Sequence, residues 1–287
     1  PRSQRLAGQT HRAGRMHPLF LHRPLPLAGV AEAPLRRAIG RLLHVDDDRR
    51  LQRWRNWLAA PALIDPGRLP VGERRMLRML VASVADQAID KHATLEEGWS
   101  LIVAHDRVRA ELLELLDVLA TRQTHIDLAL TARPEVPLRI HARYTRREIL
   151  AACGIGDNAK VAAWQTGVYR AEVAGADLLA FTLDKTEGGF SPTTRYRDYA
   201  ISRTLIHWES QNVTREGNDT GLRYQQHAER GDLILLFARE RADDRAFWFL
   251  GPARYVSHEG ERPMAITWRL EQALPADLYA EFAAAVA

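Results

Sequence analysis

Ala265–Leu270 reads AITWRL, and this hexapeptide decides how the C-terminal half of the chain folds. Ile266, Trp268 and Leu270 fall on one face of an extended strand, Thr267 and Arg269 on the other. Working outward, further strand candidates are Gly167–Val173, Asp177–Leu183, Ile206–Ser210, Asp232–Arg239, Ala246–Gly251 and Arg254–His258. Turn signals separate them at Ala174–Gly175, Gly188–Gly189, Gly217–Asp219, Asp243–Asp244 and Glu259–Gly260. Short strands at this spacing predict an antiparallel β-barrel or sandwich-like domain over 134–287, with a C-terminal helix at Pro275–Val286.

Upstream the period changes. Thr145–Ala152 opens with Thr145 and carries Glu148 three residues on, a capping box, and Gly154 stops it. Pro134 and Pro137 mark a boundary. Before them, residues 34–133 read as a helical domain. Leu35, Ile39 and Leu42 recur at helical spacing, and Asp46–Asp48 cap a segment through Leu51, Trp54 and Leu58. A second helix carries Met76, Leu77, Leu80 and Val84. The clearest runs from Ala104 to His125 with an apolar stripe of Val108, Leu112, Leu115, Leu116 and Leu119. Residues 1–33 are basic and read as a leader without order of its own. The fold class expected is therefore α+β: helices first, then a β-rich domain.

Composition narrows the function classes. The chain has 287 residues, 46% of them hydrophobic, and a formal charge of +4. Its only lysines are Lys91, Lys160 and Lys185, so nearly all positive charge is arginine. A GC-rich genome accounts for part of that bias. The single cysteine, Cys153, excludes an intramolecular disulfide framework and a multi-cysteine zinc site. No apolar run approaches the roughly 20 residues needed to span a bilayer, so no membrane partner and a cytoplasmic location are expected.

One segment concentrates binding chemistry. Ser191–Tyr224 sets Tyr196, Tyr199, Trp208 and Tyr224 among Arg195, Arg197 and Arg223, with His207, Gln211 and Asn212 beside them. Flat rings stack on bases, guanidinium forks hold phosphates, and amides read base edges. In this reading Tyr196, Tyr199 and Trp208 wall a pocket for an extruded base. Gln211, Asn212 or Asp198 would bond its edge, and Arg195, Arg197 and Arg223 would hold the flanking phosphates. The reading requires that these groups converge on one positively charged hollow. A core role for the rings is the competing account.

An enzyme is the other class. Asp177, Asp184, Lys185 and Glu187 suggest a metal-dependent nuclease, but Asp184 and Lys185 are adjacent and point to opposite faces of a strand. His207 with Glu209, and His258 with Glu259, are isolated pairs. No G-x-S-x-G elbow surrounds Ser191, Ser202 or Ser210. Neither catalysis nor a cofactor is expected of this chain.

Several phrases carry a resemblance: HARYTRREILAACG (141–154), FTLDKTEGGFSPTTRYRDYAIS (181–202), HWESQN (207–212), TGLRY (220–224), FLGPARYVSHEG (249–260) and RPMAITWRLEQALPADL (262–278). From about Pro137 onward the chain resembles the domain of unknown function 3427 family. That resemblance implies a recognition domain behind a phospholipase-D-type nuclease and a superfamily-II helicase, in proteins similar to restriction enzymes that cut DNA carrying methylated cytosine. The LHVDDDRRL phrase (43–51) is similar to the segment joining motor to recognition domain. This sequence has no G-x-x-x-x-G-K-[ST] phosphate loop and no paired H-x-K motif. It is expected to be a fragment, a split gene product or a stand-alone reader of DNA, with modified cytosine as its target. An adaptor docking onto a separate helicase or nuclease subunit is the third class.

Overall fold

The computed structural model describes residues 28–86, 94–123, 126–156, 161, 163–183 and 198–286. Helices come first: α1 (Ala28–Ile39), α2 (Asp48–Ala59), α3 (Val71–Val84), α4 (Leu95–Val103) and α5 (Asp106–Ala120). α1 begins inside the stretch read as a leader. α2 starts as expected, the Asp47 side chain accepting from the Arg50 backbone N–H at 2.8 Å. The helix expected from Ala104 begins instead at Asp106, and α4 precedes it with its own Thr94–Glu97 capping box. α4 lies close on α3: a Cβ on Gly98 would stand 2.3 Å from Val81 Cγ1.

A short ladder, β1 (Leu128–Ala129) with β2 (Arg139–Ile140), leads to β3 (Arg143–Thr145) and α6 (Arg146–Ala152). The Thr145–Glu148 capping box forms, and Gly154, at φ +83°, follows the helix in the left-handed region. The remaining strands are β4 (Val168–Ala171), β5 (Ala176–Thr182), β6 (Tyr199–Ala200), β7 (Leu205–Glu209), β8 (Leu233–Arg239), β9 (Ala246–Glu259) and β10 (Ala265–Leu270). Helix α7 (Asp219–Gln226) lies between β7 and β8, and α8 (Ala276–Val286) ends the chain.

The α+β class holds, with a large, mostly antiparallel sheet that does not close into a barrel among the described residues. The described strands run β4-β5-β8-β9-β10-β7-β6 in one open sheet, with β3 paired to the start of β9. All pairs are antiparallel except β5 with β8. Both faces of the central strands are covered, so the sheet buries its apolar surface without closing on itself. Leu178, Ala180, Leu235, Phe237, Phe247 and Phe249 join the helical core, while Leu179, Ile206, Trp208, Leu236, Leu250 and Trp268 form a second core with α8. The first core runs without interruption across the expected boundary at 133/134.

Two expected strands are one. β9 runs from Ala246 to Glu259 through Gly251, whose φ of +100° suits glycine. The ladder slips one residue there, Leu236 facing Gly251 but Phe237 facing Phe249. The slip changes which parity faces which core: Phe247 and Phe249 point to the helices, Ala253 and Tyr255 to the opposite core. Among the described residues no helix is long and apolar enough to cross a membrane.

Candidate nucleic-acid interface

The strand alternation that forms β7 separates the residues expected to act together. His207 lies on one face and Trp208 on the other. Tyr199 on β6 stands opposite His207 in the ladder, and the two rings stack with centroids 4.7 Å apart and planes 22° apart. Tyr199 is 36% exposed. Trp208 is 3% exposed and packs edge-on against Tyr224 at 5.8 Å and against Trp268 at 6.5 Å. Trp208 and Tyr224 thus belong to the second core, where their area burial and ring packing hold the sheet. Asn212 is exposed and Gln211 half-buried in the loop after β7. Arg195, Tyr196 and Arg197 lie outside the described residues, as do Asp184, Lys185 and Glu187.

Arg223 is bound inside the protein. Its Nε and Nη2 reach Asp177 Oδ2 and Oδ1 at 2.7 and 2.9 Å, and Arg170 Nη1 lies 3.3 Å from the same carboxylate. Asp177 is fully buried on β5, and Arg170 also pairs with Asp232 at 2.9 Å. The hydrogen bond to Asp177 raises the Arg223 pKa, its charge overcoming partial burial. A second knot joins helices to sheet. Arg50, fully buried, contacts Asp47 and Glu148 and donates to the Arg143 carbonyl at 2.7 Å, while His44 Nε2 meets Glu148 Oε2 at 2.6 Å. Burial works against the Glu148 carboxylate, yet His44, Arg50 and the Thr145 N–H together hold its pKa at about 2.

Other arginines have no such partners. A cleft of about 490 Å³ lies between residues near β4 and β5 and residues near β7, lined among others by Thr182, Asp198, Trp208, Gln211, Arg146 and Arg239. Asp198, buried, accepts from the Glu209 backbone N–H at 2.9 Å. Arg146 and Arg239 also line a second cavity, about 440 Å³, with Arg41, Arg147, Arg245 and Ser83. Among the described residues no acid lines this basin. It sits at the seam of the fold: Arg41 follows α1, Ser83 is on α3, Arg146 and Arg147 begin α6, Arg239 ends β8, and Arg245 precedes β9.

Burial and like charge crowd the basin, with Asp244 and Asp243 partly offsetting burial at Arg239. Burial lowers the Arg41 pKa, and the charges of Arg245 and Arg147 lower it further. Burial likewise lowers that of Arg146, with Arg239 adding repulsion. Both Arg146 and Arg239 lie against the Phe247 ring, their Cζ atoms 5.3 and 4.7 Å from its centroid. Arg146 Nε, Arg147 Nη1 and Ser83 Oγ are buried without hydrogen-bond partners. Sequence reading passed over these residues. The legible signal was Arg146–Arg147, two cations in the first turn of a helix, where acids are the rule.

Among the described residues no group of three His, Cys, Asp or Glu is placed to hold a metal ion. Residues 138–282 match the family described as a domain of unknown function, DUF3427. The match takes in Arg146, Arg147, Arg239 and Arg245 and leaves out Arg41 and Ser83. No curated protein matches the chain. Because the match covers half its length, the chain belongs to the DUF3427 family.

Proposed function

We propose that this chain binds DNA and contributes target recognition, with modified cytosine as the target, in association with a helicase–nuclease system. The observation that carries the reading is the cleft in which Arg146 and Arg239 flank Trp208, Gln211 and Asp198. A base taken out of its stack needs an aromatic wall, groups that bond its pairing edge, and cations for the phosphates beside it. The cleft lining supplies candidates for each: the edge of Trp208 left uncovered by the second core, the Gln211 amide for the base edge, and the Arg146 and Arg239 guanidinium groups. Its volume of about 490 Å³ lies within the usual range for small-molecule sites, ample for a single base. The resemblance of the C-terminal half to the recognition part of helicase–nuclease proteins supports the same assignment.

The test is fluorescence anisotropy with duplexes that differ only in carrying cytosine, 5-methylcytosine or 5-hydroxymethylcytosine, each at two salt concentrations. Tighter binding of one modified duplex is expected, and Gln211→Ala should reduce that preference about 5- to 160-fold, the equivalent of about 1–3 kcal/mol for a base contact. Gln211 suits the purpose better than Trp208, whose truncation would also open a hole in the core. Equal affinity of the wild-type protein for all three duplexes would overturn modified-base recognition, and no salt-sensitive binding at all would overturn DNA binding.

A further inference from the structure

We propose that the arginine basin between α1, α3, α6 and the β8–β9 hairpin is a phosphate-binding site that takes the sugar–phosphate backbone of a nucleic-acid strand leaving the cleft. The proposal deepens the recognition reading and rests on it for the source of the phosphate. The site itself stands on the basin's own chemistry.

Five guanidinium groups line one cavity, and among the described residues no carboxylate joins its walls. Several buried or half-buried arginines elsewhere meet an acid: Arg50 has Asp47 and Glu148, Arg78 has Asp86, and Arg170 and Arg223 share Asp177, whereas Arg75 and Arg133 are held by backbone carbonyls. Arg41, Arg239 and Arg245 also line a neighbouring cavity with Asp46, Glu240, Asp244 and Glu281, and several acids nearby have other partners. Asp243 and Asp244 bind Arg241, and Glu148 binds His44 and Arg50. Arg239 spends its Nε on Thr182 Oγ1 and its Nη1 on the Asp244 carbonyl, which fixes the guanidinium without neutralising it. Arg146 Nη1 is held by the Trp164 and Gln165 carbonyls in the same way. Cations oriented by neutral acceptors and set against one another are poised for an anion.

Phosphate fits best. A guanidinium fork matches two phosphate oxygens, and Arg147 Nη1, Arg146 Nε and Ser83 Oγ are buried donors still to be satisfied. A single carboxylate would leave most of the charge unanswered, whereas a strand brings one charge per nucleotide. The strand is favoured over a free phosphate compound because Arg146 and Arg239 line both cavities. A base seated in the cleft would send its neighbouring phosphates into the basin.

The experiment compares wild-type protein with the double variant Arg147→Gln/Arg245→Gln, using labelled single-stranded oligo-dT across a salt series and pyrophosphate in thermal unfolding. Each lost phosphate contact should flatten the slope of log K against log salt by about 0.7, so the pair should flatten it by about 1.4. Affinity near 0.1 M salt should fall about 10- to 100-fold on the same counterion argument. Pyrophosphate should compete with oligo-dT on the wild-type protein, a measurement that needs no variant. Unchanged slope and affinity in a folded double variant, with pyrophosphate acting alike on variant and wild type, would overturn the site. Persisting preference for a modified duplex would then leave the recognition reading intact. If pyrophosphate stabilises wild type but not the variant while oligo-dT binds both alike, the strand assignment is overturned in favour of a small phosphorylated ligand. If the wild-type protein binds no DNA but pyrophosphate still acts through the two arginines, the recognition reading fails and the phosphate site stands.

Discussion

The Asp177 knot and the arginine basin are built from the same residue type and differ in what answers the charge. In the knot, Arg170 and Arg223 close on one fully buried carboxylate. In the basin, Arg41, Arg146, Arg147, Arg239 and Arg245 line a cavity to which no acid among the described residues contributes. Arginine abundance therefore says little by itself; partner matching separates arginines that hold the fold from those free to take a ligand. A matched guanidinium stabilises the native state and is unavailable. An unmatched one repels its neighbours, and an incoming anion relieves that repulsion.

The largest effect that would sharpen this contrast is removal of the shared acid. Asp177→Ala leaves half-buried Arg223 without its carboxylate, while Arg170 keeps Asp232 and Glu172, and should lower unfolding free energy by roughly 3 kcal/mol, read by urea denaturation. A loss under about 1 kcal/mol would mean that solvent already screens the knot, and the contrast with the basin would collapse.

The Glu148 knot gives a smaller effect with a defined pH window. Its carboxyl is held at about 2 in the folded protein, below the roughly 4.3 of an unfolded glutamate. Between those values the unfolded chain binds more protons, so this group's contribution is complete above about pH 5 and disappears as pH falls toward 2. Glu148→Gln should start less stable at pH 7 and decline less steeply through the acid range than wild type. Parallel acid-unfolding curves would show that the carboxylate is not held as the His44 and Arg50 contacts require.

Much of the fold was legible because period is local. The alternation in AITWRL and the Thr145–Glu148 capping box needed only neighbouring residues, and both β10 and α6 formed where expected. The parallel pairing of β5 with β8 was not legible, because it joins strands separated by β6, β7 and α7. Helix α7 was hidden in a phrase read only for its arginine and tyrosine. The site was read less well than the fold. Alternation in His207–Trp208–Glu209 already required one of the first two side chains to turn inward, and the structure settles that it is Trp208. The basin could not be read at all. Its five arginines come from four places in the chain, and their meeting in one cavity exists only in three dimensions.

The smallest expected effect carries the opposite sign. Arg245→Gln removes an exposed guanidinium whose charge lowers the Arg41 pKa. Losing it relieves repulsion and breaks no ion pair, so stability should stay within about 0.5 kcal/mol of wild type. Because the interaction is between partly exposed charges, the small gain should be larger at about 0.02 M salt, where the Debye length exceeds 20 Å, than at about 0.5 M, where it is near 4 Å. Thermal unfolding at the two salt concentrations checks this, with Asp177→Ala alongside as the variant whose deficit should persist in both because its charges are shielded from solvent. A salt-dependent loss in Arg245→Gln would mean that Arg245 is paired in solution, and the basin would then be one more structural knot.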